Sequence, residues 1–413
     1  MKISMLMSLY GEHAIGGAER IAERVSMGLH AAGHELEIVS LSDPDQPIET
    51  VRLPNGLSHT RVPLSQWYDP YALSGKPRVK PGGLSKAIWH GLDVYNPVMG
   101  RRLAQHWSKT RPDLVVTHTL QGFSVSAWRA ARDSGAALAH VIHDHALLCP
   151  GTAMSRGTRM CDTPCTSCRV YGGLRHMLSD WPDAVAAPSH DVLNRHLQYG
   201  WFDTVSRRQV IENSIPADWP WVNDGVQPGT ETLRFAFLGR MDESKGVDTL
   251  LEAAALLNDR VFEVHLAGPG DVEAMRQQIR DMGLASRVFV HGVVKAGDFL
   301  LGHHVVVTPS RARESFCNVV LEAACIGRPG IVSDRGALPE RTGKGQWGWV
   351  FPAGDAQALA QCMRHCIDHP MEVHAKGALA LTCRPRNTQD IVQAQWQTFC
   401  EDVGRQRAHG ARP

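Results

Sequence analysis

Short, almost continuously apolar runs alternate along this chain with stretches in which apolar residues recur at helical spacing. The runs read as strands buried on both faces, and the periodic stretches as helices covering them. In the first half the runs are Lys2 to Leu9, His34 to Leu41, Pro112 to His118, Ala139 to His143 and Ala184 to Ala187. Between the first two, Gly16-Gly17-Ala18-Glu19-Arg20 opens a helix with Ile21, Val25 and Leu29 on one face, closed by Gly33. Asn96-Pro97 starts another, a cap followed by a first-turn proline, and a helix from Asp191 to about Tyr199 follows the last run. The second half repeats the alternation. Its runs are Gln209 to Glu212, Arg234 to Leu238, Phe262 to Ala267, Arg287 to Val290, His304 to Thr308, Gly330 to Ser333 and Gly348 to Pro352. Helices begin at Val247 and Asn318 and span Ala356 to His369. Alternation of this kind predicts α/β units with parallel sheets. Two stretches break it: Ser42 to Leu84, rich in Pro, Gly and polar residues and read as an insertion or mobile loop, and the polar end from Gly404.

A chain of 413 residues is long enough for two full cores. Its 43% hydrophobic and 21% charged residues are ordinary for a soluble protein. The net charge of +1 offers no field for nucleic acid. No apolar run reaches the roughly 18 residues a membrane helix needs. The apolar start soon meets Gly11-Glu12-His13, which favours a first strand over a signal peptide. Ten cysteines without an export signal point to reduced thiols in a cytoplasm.

The candidate chemistry centres on Arg311 to Gly330. A strand ends at Thr308-Pro309-Ser310, a polar loop carries Glu314, and the helix beyond carries Glu322, with seven residues between the glutamates. A carboxylate buried at a strand-to-helix turn must be paired or hydrogen-bonded. Free backbone N–H groups at a helix start, here from Phe316 to Val319, suit an anion. The combination fits a ligand with phosphates and hydroxyls; the competing reading is two solvated glutamates. Upstream, Gly239 leaves room for close backbone approach at a strand end, and Arg240 and Lys245 place two cations beside the next helix start. Gly16 and Gly17 form a glycine pair between strand and helix that lets a phosphate approach the backbone. His143 and His118 stand at the carboxyl ends of predicted parallel strands, where α/β proteins bind ligands. Cys149, Cys161, Cys165 and Cys168 supply thiols enough for a structural zinc site, against four unligated thiols in a reducing cell. Arg101 and Arg102, near Trp89, Tyr95 and Trp107, suggest a membrane-contact or polyanion surface, against an ordinary solvated face.

Glu314-Ser315-Phe316-Cys317, Glu322-Ala323 and Gly327-Arg328-Pro329, with Gly239-Arg240 and Lys245-Gly246 upstream, resemble the retaining glycosyltransferases of family 4. The resemblance spans nearly the whole chain and is tightest from Arg234 to Asp355. It implies the GT-B fold: an α/β protein of two facing Rossmann-like domains with a cleft between them. The expected boundaries are an acceptor-side domain over 1–207 with a cysteine loop at 149–171, and a donor domain over 208–385. A terminal helix over 386–403 crosses back to the first domain, and 404–413 is a tail. The implied reaction moves a sugar from a UDP- or GDP-linked donor to a hydroxyl of a glycan or lipid-linked glycan, with retention. The expected setting is surface polysaccharide or lipopolysaccharide assembly in the cytoplasm, with peripheral contact at the inner membrane. In this reading Arg240 and Lys245 neutralise the leaving diphosphate, so no cofactor is required for catalysis. Glu314 supports the transferred sugar and His143 orients it. Glu322 holds the ribose. Gly16, Gly17, Gly239, Gly268, Phe316, Cys317, Asn318 and Val319 line the donor, and His291 lies near the base. The family usually has Gly where Cys317 stands, and a side chain there crowds a phosphate. The alternatives are a nucleotide-sugar epimerase or hydrolase of the same fold, and a non-catalytic nucleotide-sugar-binding scaffold.

Overall fold

The computed structural model describes all residues except 14–16, 67–70, 72, 74–81, 153, 157–158, 223–231 and 410–413. The chain divides into two compact units, one comprising Met1–Thr152, Thr163–Glu212 and Val392–Pro413, the other Ala153–Asp162 and Asn213–Ile391. Among the described residues, ten strands precede the second unit's sheet: β1 (Lys2–Leu6), β2 (Glu35–Ser42), β3 (Glu49–Arg52), β4 (Ser58–Pro63), β5 (Leu114–Thr117), β6 (Ala137–Val141), the hairpin β7 (Ser155–Arg156) and β8 (Arg159–Met160), β9 (Ala184–Ala187) and β10 (Arg207–Val210). The first unit's helices are α1 (Gly17–Ala31), α2 (Gly83–Val94), α3 (Pro97–Thr110), α4 (Ser126–Asp133), α5 (Thr166–His176) and α6 (His190–Gln198).

Eight of these strands form one sheet in the order β10-β9-β6-β5-β1-β2-β4-β3. Every pairing is parallel except β3 with β4. The segment from Ser42 to Leu84 therefore corrects the sequence expectation of a loop. Its first part is an edge hairpin in which β4 pairs with β2 from Ser58 opposite Glu37 to Pro63 opposite Ser42. These strands are mostly polar, with Val51 and Val62 among Glu, Thr, Arg, Ser and His, which hid them among the turn residues; much of the rest of the segment lies outside the described residues. The central strands β5 and β6 are buried throughout, as their mainly apolar composition predicts.

The second unit carries β11 (Leu233–Leu238), β12 (Phe262–Ala267), β13 (Val288–Gly292), β14 (Val305–Thr308), β15 (Gly330–Ser333) and β16 (Gly348–Phe351). They form an all-parallel sheet in the order β13-β12-β11-β14-β15-β16. Its helices are α7 (Val247–Ala255), α8 (Val272–Asp281), α9 (Ala296–Leu301), α10 (Asn318–Ala324), α11 (Leu338–Arg341), α12 (Ala356–Asp368) and α13 (Pro370–Ala380). Helix α14 (Gln389–His409) ends the described chain. Its Val392, Trp396, Phe399, Cys400 and Val403 join Ile3, Met5, Ile21, Val25 and Leu29 in the core of the first unit. The expected end at residue 403 is too early. Arg405 pairs with Asp402 at 2.8 Å and Glu401 at 3.9 Å, and this surface pairing carries the helix past Gly404.

Candidate functional site

Two loops of the second unit bring the predicted donor residues together. After β11, Gly246 has φ +72°, and a Cβ there would lie 2.0 Å from the Pro309 carbonyl oxygen. Only glycine permits that approach. The Arg311 and Ala312 N–H groups donate to the Ser244 carbonyl at 2.9 and 3.0 Å, and Ser244 itself bonds the Asp242 carboxylate. The loop carrying Lys245 is thereby stitched to the loop carrying Glu314. Lys245 Nζ and Ser310 Oγ both donate to Glu314 Oε1 at 2.7 Å. Glu314 Oε2 has no partner among the described residues. Burial pulls the Lys245 ammonium down, but the Glu314 carboxylate outweighs it and the net shift is upward. The Glu314 carbonyl accepts from Ala337 N at 2.8 Å beside a parallel bridge to Gly336. Arg240 pairs with Asp242 at 3.4 Å and is 66% exposed, so its guanidinium also faces solvent.

The other donor residues divide by place. Gly268 packs against Gly239: with φ +135°, a Cβ on Gly268 would lie 1.9 Å from the Gly239 carbonyl oxygen. Cys317 precedes α10 with φ 67° and ψ 82°, the left-handed conformation that glycine adopts without strain. Its thiol packs against Val320, Val332 and Leu338, and burial, with Glu314 adding to it, pushes the thiol up to about 12. Phe316 is buried with the Arg341 guanidinium 4.3 Å above its ring, so its side chain belongs to the core. Asn318 Oδ1 accepts from Asn213 Nδ2 at 2.8 Å, Val319 packs on the core, and Glu322 is half-buried on α10. His291 is exposed and stands 2.9 Å from the His265 ring nitrogen. Gly17 begins α1, while Gly16 lies outside the described residues.

In the first unit, His143 and His118 meet at the carboxyl ends of β6 and β5, with His118 Nδ1 2.8 Å from His143 Nε2. They line a small recess with Thr119, Gln121, His140, Asp144 and Arg175. Burial lowers both rings, His143 to about 4, so the pair is neutral at pH 7. Arg175 frames the recess. It donates from Nη2 to Asp93 Oδ2 at 2.7 Å and from Nη1 to the Ala146 carbonyl at 3.2 Å, and both ions are 1% exposed. Sequence reading passed over Asp144, Arg175, Asp93 and Ser310. Only Asp144 carried a signal, as the middle residue of His143-Asp144-His145 at a strand end.

The cysteine loop contains a helix that was not anticipated, α5, with Cys165 as its cap. Cys165 and Cys168 Sγ lie 3.4 Å apart, and burial, with Cys165 and Cys149 nearby, pushes the Cys168 thiol up to about 12. Cys161 follows β8. Among the described residues, no group of three or more His, Cys, Asp or Glu side chains is arranged to hold a metal ion.

The model of "Glycosyltransferase Family 4" matches residues 15–219, and that of "Glycosyl transferases group 1" matches 232–369. An "Uncharacterized 42.6 kDa protein in cps region" of Klebsiella pneumoniae is 23% identical over 343 residues, 82% of this chain and 87% of that one. Among solved structures, sucrose-phosphate synthase from Thermosynechococcus elongatus superposes with a TM-score of 0.71 at 18% identity, covering 97% of this chain and 98% of that one. Anabaena Alr3699/HepE in complex with UDP gives 0.69 at 18% identity over 97% and 100% of the two chains. At such identities these superpositions speak for the fold alone. With its two parallel-sheet units, its paired Glu314 and Lys245, and family models over both halves, this chain belongs to the family 4, group 1 glycosyltransferases of GT-B fold.

Proposed function

We propose that this glycosyltransferase moves a hexosyl unit from a UDP- or GDP-linked sugar to a hydroxyl of a glycan or lipid-linked glycan, with retention of anomeric configuration. The observation that carries the reading is Glu314, fixed through Oε1 by Lys245 and Ser310 with Oε2 left unpartnered. A carboxylate so held suits the hydroxyls of a donor sugar and the cationic character of its ring in an oxocarbenium-like transition state. Arg240 meets the diphosphate. Lys245, already paired, contributes mainly through the position and field of Glu314. Glu322 holds the ribose hydroxyls, and Gly239 and Gly268 keep the backbone low beneath the nucleotide. His143 orients the transferred sugar. The departing phosphate takes the acceptor proton, so no carboxylate has to attack carbon, unlike the paired carboxyls of most glycoside hydrolases. The UDP bound by the Anabaena protein supports a nucleotide donor, and the cps region of the Klebsiella relative supports a polysaccharide setting.

Peripheral membrane contact belongs to the same reading. No described helix is long and apolar enough to cross a membrane. Helix α2 nevertheless exposes Leu84 (77%), Ile88 (48%) and Leu92 (41%) at helical spacing, and Lys76, Arg78 and Lys80 precede it in sequence. An exposed apolar helix face with basic residues preceding it in sequence suits an anionic lipid surface.

The test is calorimetric binding of UDP-, GDP- and ADP-sugars to the wild type and Glu322→Ala, followed by NMR of the product's anomeric configuration. Saturable binding of one donor, weakened about tenfold or more in the variant, and a retained anomer are expected. A folded wild type that binds none of them overturns the reading.

A further inference from the structure

The cysteine loop ends in a thiol pair that the proposed reaction does not use. Cys165-Thr166-Ser167-Cys168 spans the start of α5, with Cys165 as the N-cap and Cys168 in the first turn. Residues three apart on a helix are neighbours, and here the two Sγ atoms stand 3.4 Å apart. A disulfide sets them at about 2.05 Å, so a small side-chain rotation closes the gap.

The two thiols differ in access. Cys165 is half-buried, whereas Cys168 is buried. Cys165 stands just ahead of the unpaired N–H groups of a helix start, a position that favours a thiolate. Its side chain makes no capping bond, and its sulfur lies 3.2 Å from Ser167 Oγ. An accessible sulfur that attacks, with a buried one in reach to resolve, is the arrangement that thiol–disulfide exchange needs. Cys149 is buried near Cys168 and offers no such entry. The Cys325 and Cys383 sulfurs also approach each other, to 3.8 Å, but both residues are buried and neither gives a reagent a way in.

We infer that Cys165 and Cys168 form a site of reversible oxidation, a dithiol that a low-molecular-weight disulfide such as oxidised glutathione converts to an intramolecular disulfide. Cys165, as thiolate, attacks one sulfur of the reagent. The reagent's S–S bond breaks, a mixed disulfide forms at Cys165 and one glutathione thiolate leaves. Cys168 then gives up its proton, and its sulfur attacks Cys165 Sγ and expels the second glutathione thiolate. The chain loses two electrons and two protons, and the reagent gains them as two thiols. The new bond closes across the first turn of the helix from which Tyr171 and Arg175 hold Asp93 of α2, at 3.5 and 2.7 Å. None of this depends on the transferase reading.

Mass spectrometry of the full chain tests it. The protein is equilibrated in reduced or oxidised glutathione, quenched in acid, unfolded, blocked with N-ethylmaleimide and digested with trypsin. The peptide Met160–Arg169 holds Cys161, Cys165 and Cys168. After oxidation it is expected to be two hydrogens lighter with one blocked cysteine, and dithiothreitol reverses the change. Cys161→Ser is expected to leave that disulfide in place. Cys165→Ser, which sets a favoured capping residue at the helix start, is expected to abolish it with an unaltered melting temperature. Cys168→Ala is expected to hold one glutathione on Cys165, because the resolving sulfur is gone; if this buried variant fails to fold, the wild type and Cys165→Ser decide alone. In the reduced native protein, N-ethylmaleimide is expected to label Cys165 at least about tenfold faster than Cys149 or Cys168. Three blocked cysteines in the peptide after oxidation, a disulfide that survives Cys165→Ser, or equal labelling rates each overturns the inference. So does stoichiometric zinc in the purified protein, with these cysteines protected from labelling until a chelator is added.

Discussion

In the proposed reaction the chemistry turns on Glu314. Glu314→Gln preserves acceptance of the Ser310 hydrogen bond but removes the charge opposite Lys245. The expected result is a fall in kcat on the order of 10²–10³ with donor affinity changed far less, since the charge matters most where the sugar becomes cationic. Steady-state kinetics beside calorimetry would separate the two; equal loss in kcat and affinity would deny the transition-state role. The buried histidines give the first unit a second residue-scale property. Burial lowers His143 and His196 to about 4 and His140 to about 3, from 6.5. Below pH 6.5 the unfolded chain takes up protons that the folded chain refuses until about 4, so stability falls as pH falls through that window. Asp144 has the opposite sign. Burial raises it from 3.8 to about 6, so the folded chain holds a proton the unfolded one has released, and acidification through pH 6 stabilises. Three histidines outweigh one aspartate. The net loss from pH 7 to pH 4.5 is on the order of 5 kcal/mol, at about 1.4 kcal/mol per unit of pKa difference. Urea midpoints across that range measure it, and a flat profile would contradict the neutral, buried state of these rings. The spacing of the two glutamates and the strand-end His143 were legible in sequence. Asp144 was not singled out, because nothing in a linear chain says which carboxylate the fold will bury.

The buried strands announced themselves through their apolar runs and half of the helices through their period, whereas β3, β4, the hairpin β7–β8 and helices α2, α4, α5, α8, α9, α11 and α13 were not anticipated. β3 and β4 lie at and next to the sheet edge, and polar residues there leave no apolar run to read. α5 begins within a cysteine-rich segment that reads as a loop. At this scale Gly246 is the most consequential glycine, because its φ of +72° and its contact with Pro309 hold the Lys245 and Glu314 loops together. Gly246→Ala is expected to cost at least 1–2 kcal/mol, roughly the left-handed strain alone, and to weaken donor binding as the loops part. An unaltered melting temperature would show that the loops do not depend on this approach. Helix α14 makes a similar case for packing. Trp396 is 3% exposed in the first unit's core, so Trp396→Ala should destabilise by about 3–5 kcal/mol, read as a shifted urea midpoint. A loss under about 1 kcal/mol would mean that the helix only rests on that unit.

For the molecule as a whole, the exposed apolar face of α2 predicts association with bilayers. Flotation with vesicles containing phosphatidylglycerol should carry the wild type, and vesicles of phosphatidylcholine alone should not. Leu84→Glu with Ile88→Glu should abolish it, as should high salt in large part. Equal binding to both vesicle types, or none, would remove the membrane from the functional reading. Family membership and the order of the elements were within reach of the sequence, because a parallel α/β sheet writes itself as unbroken apolar runs and because the Gly-Arg, Lys-Gly and paired-glutamate motifs are local. The tertiary structure alone decided the rest. It gave Glu314 its partners from residues 4 and 69 positions away, and set His118 against His143 across 25. It paired Asp93 with Arg175, set Arg175 and Asp144 around one recess, and placed Cys317 at a left-handed φ. Hydrogen bonds and charges act through space over a few ångströms, and only folding turns distance along the chain into distance between atoms.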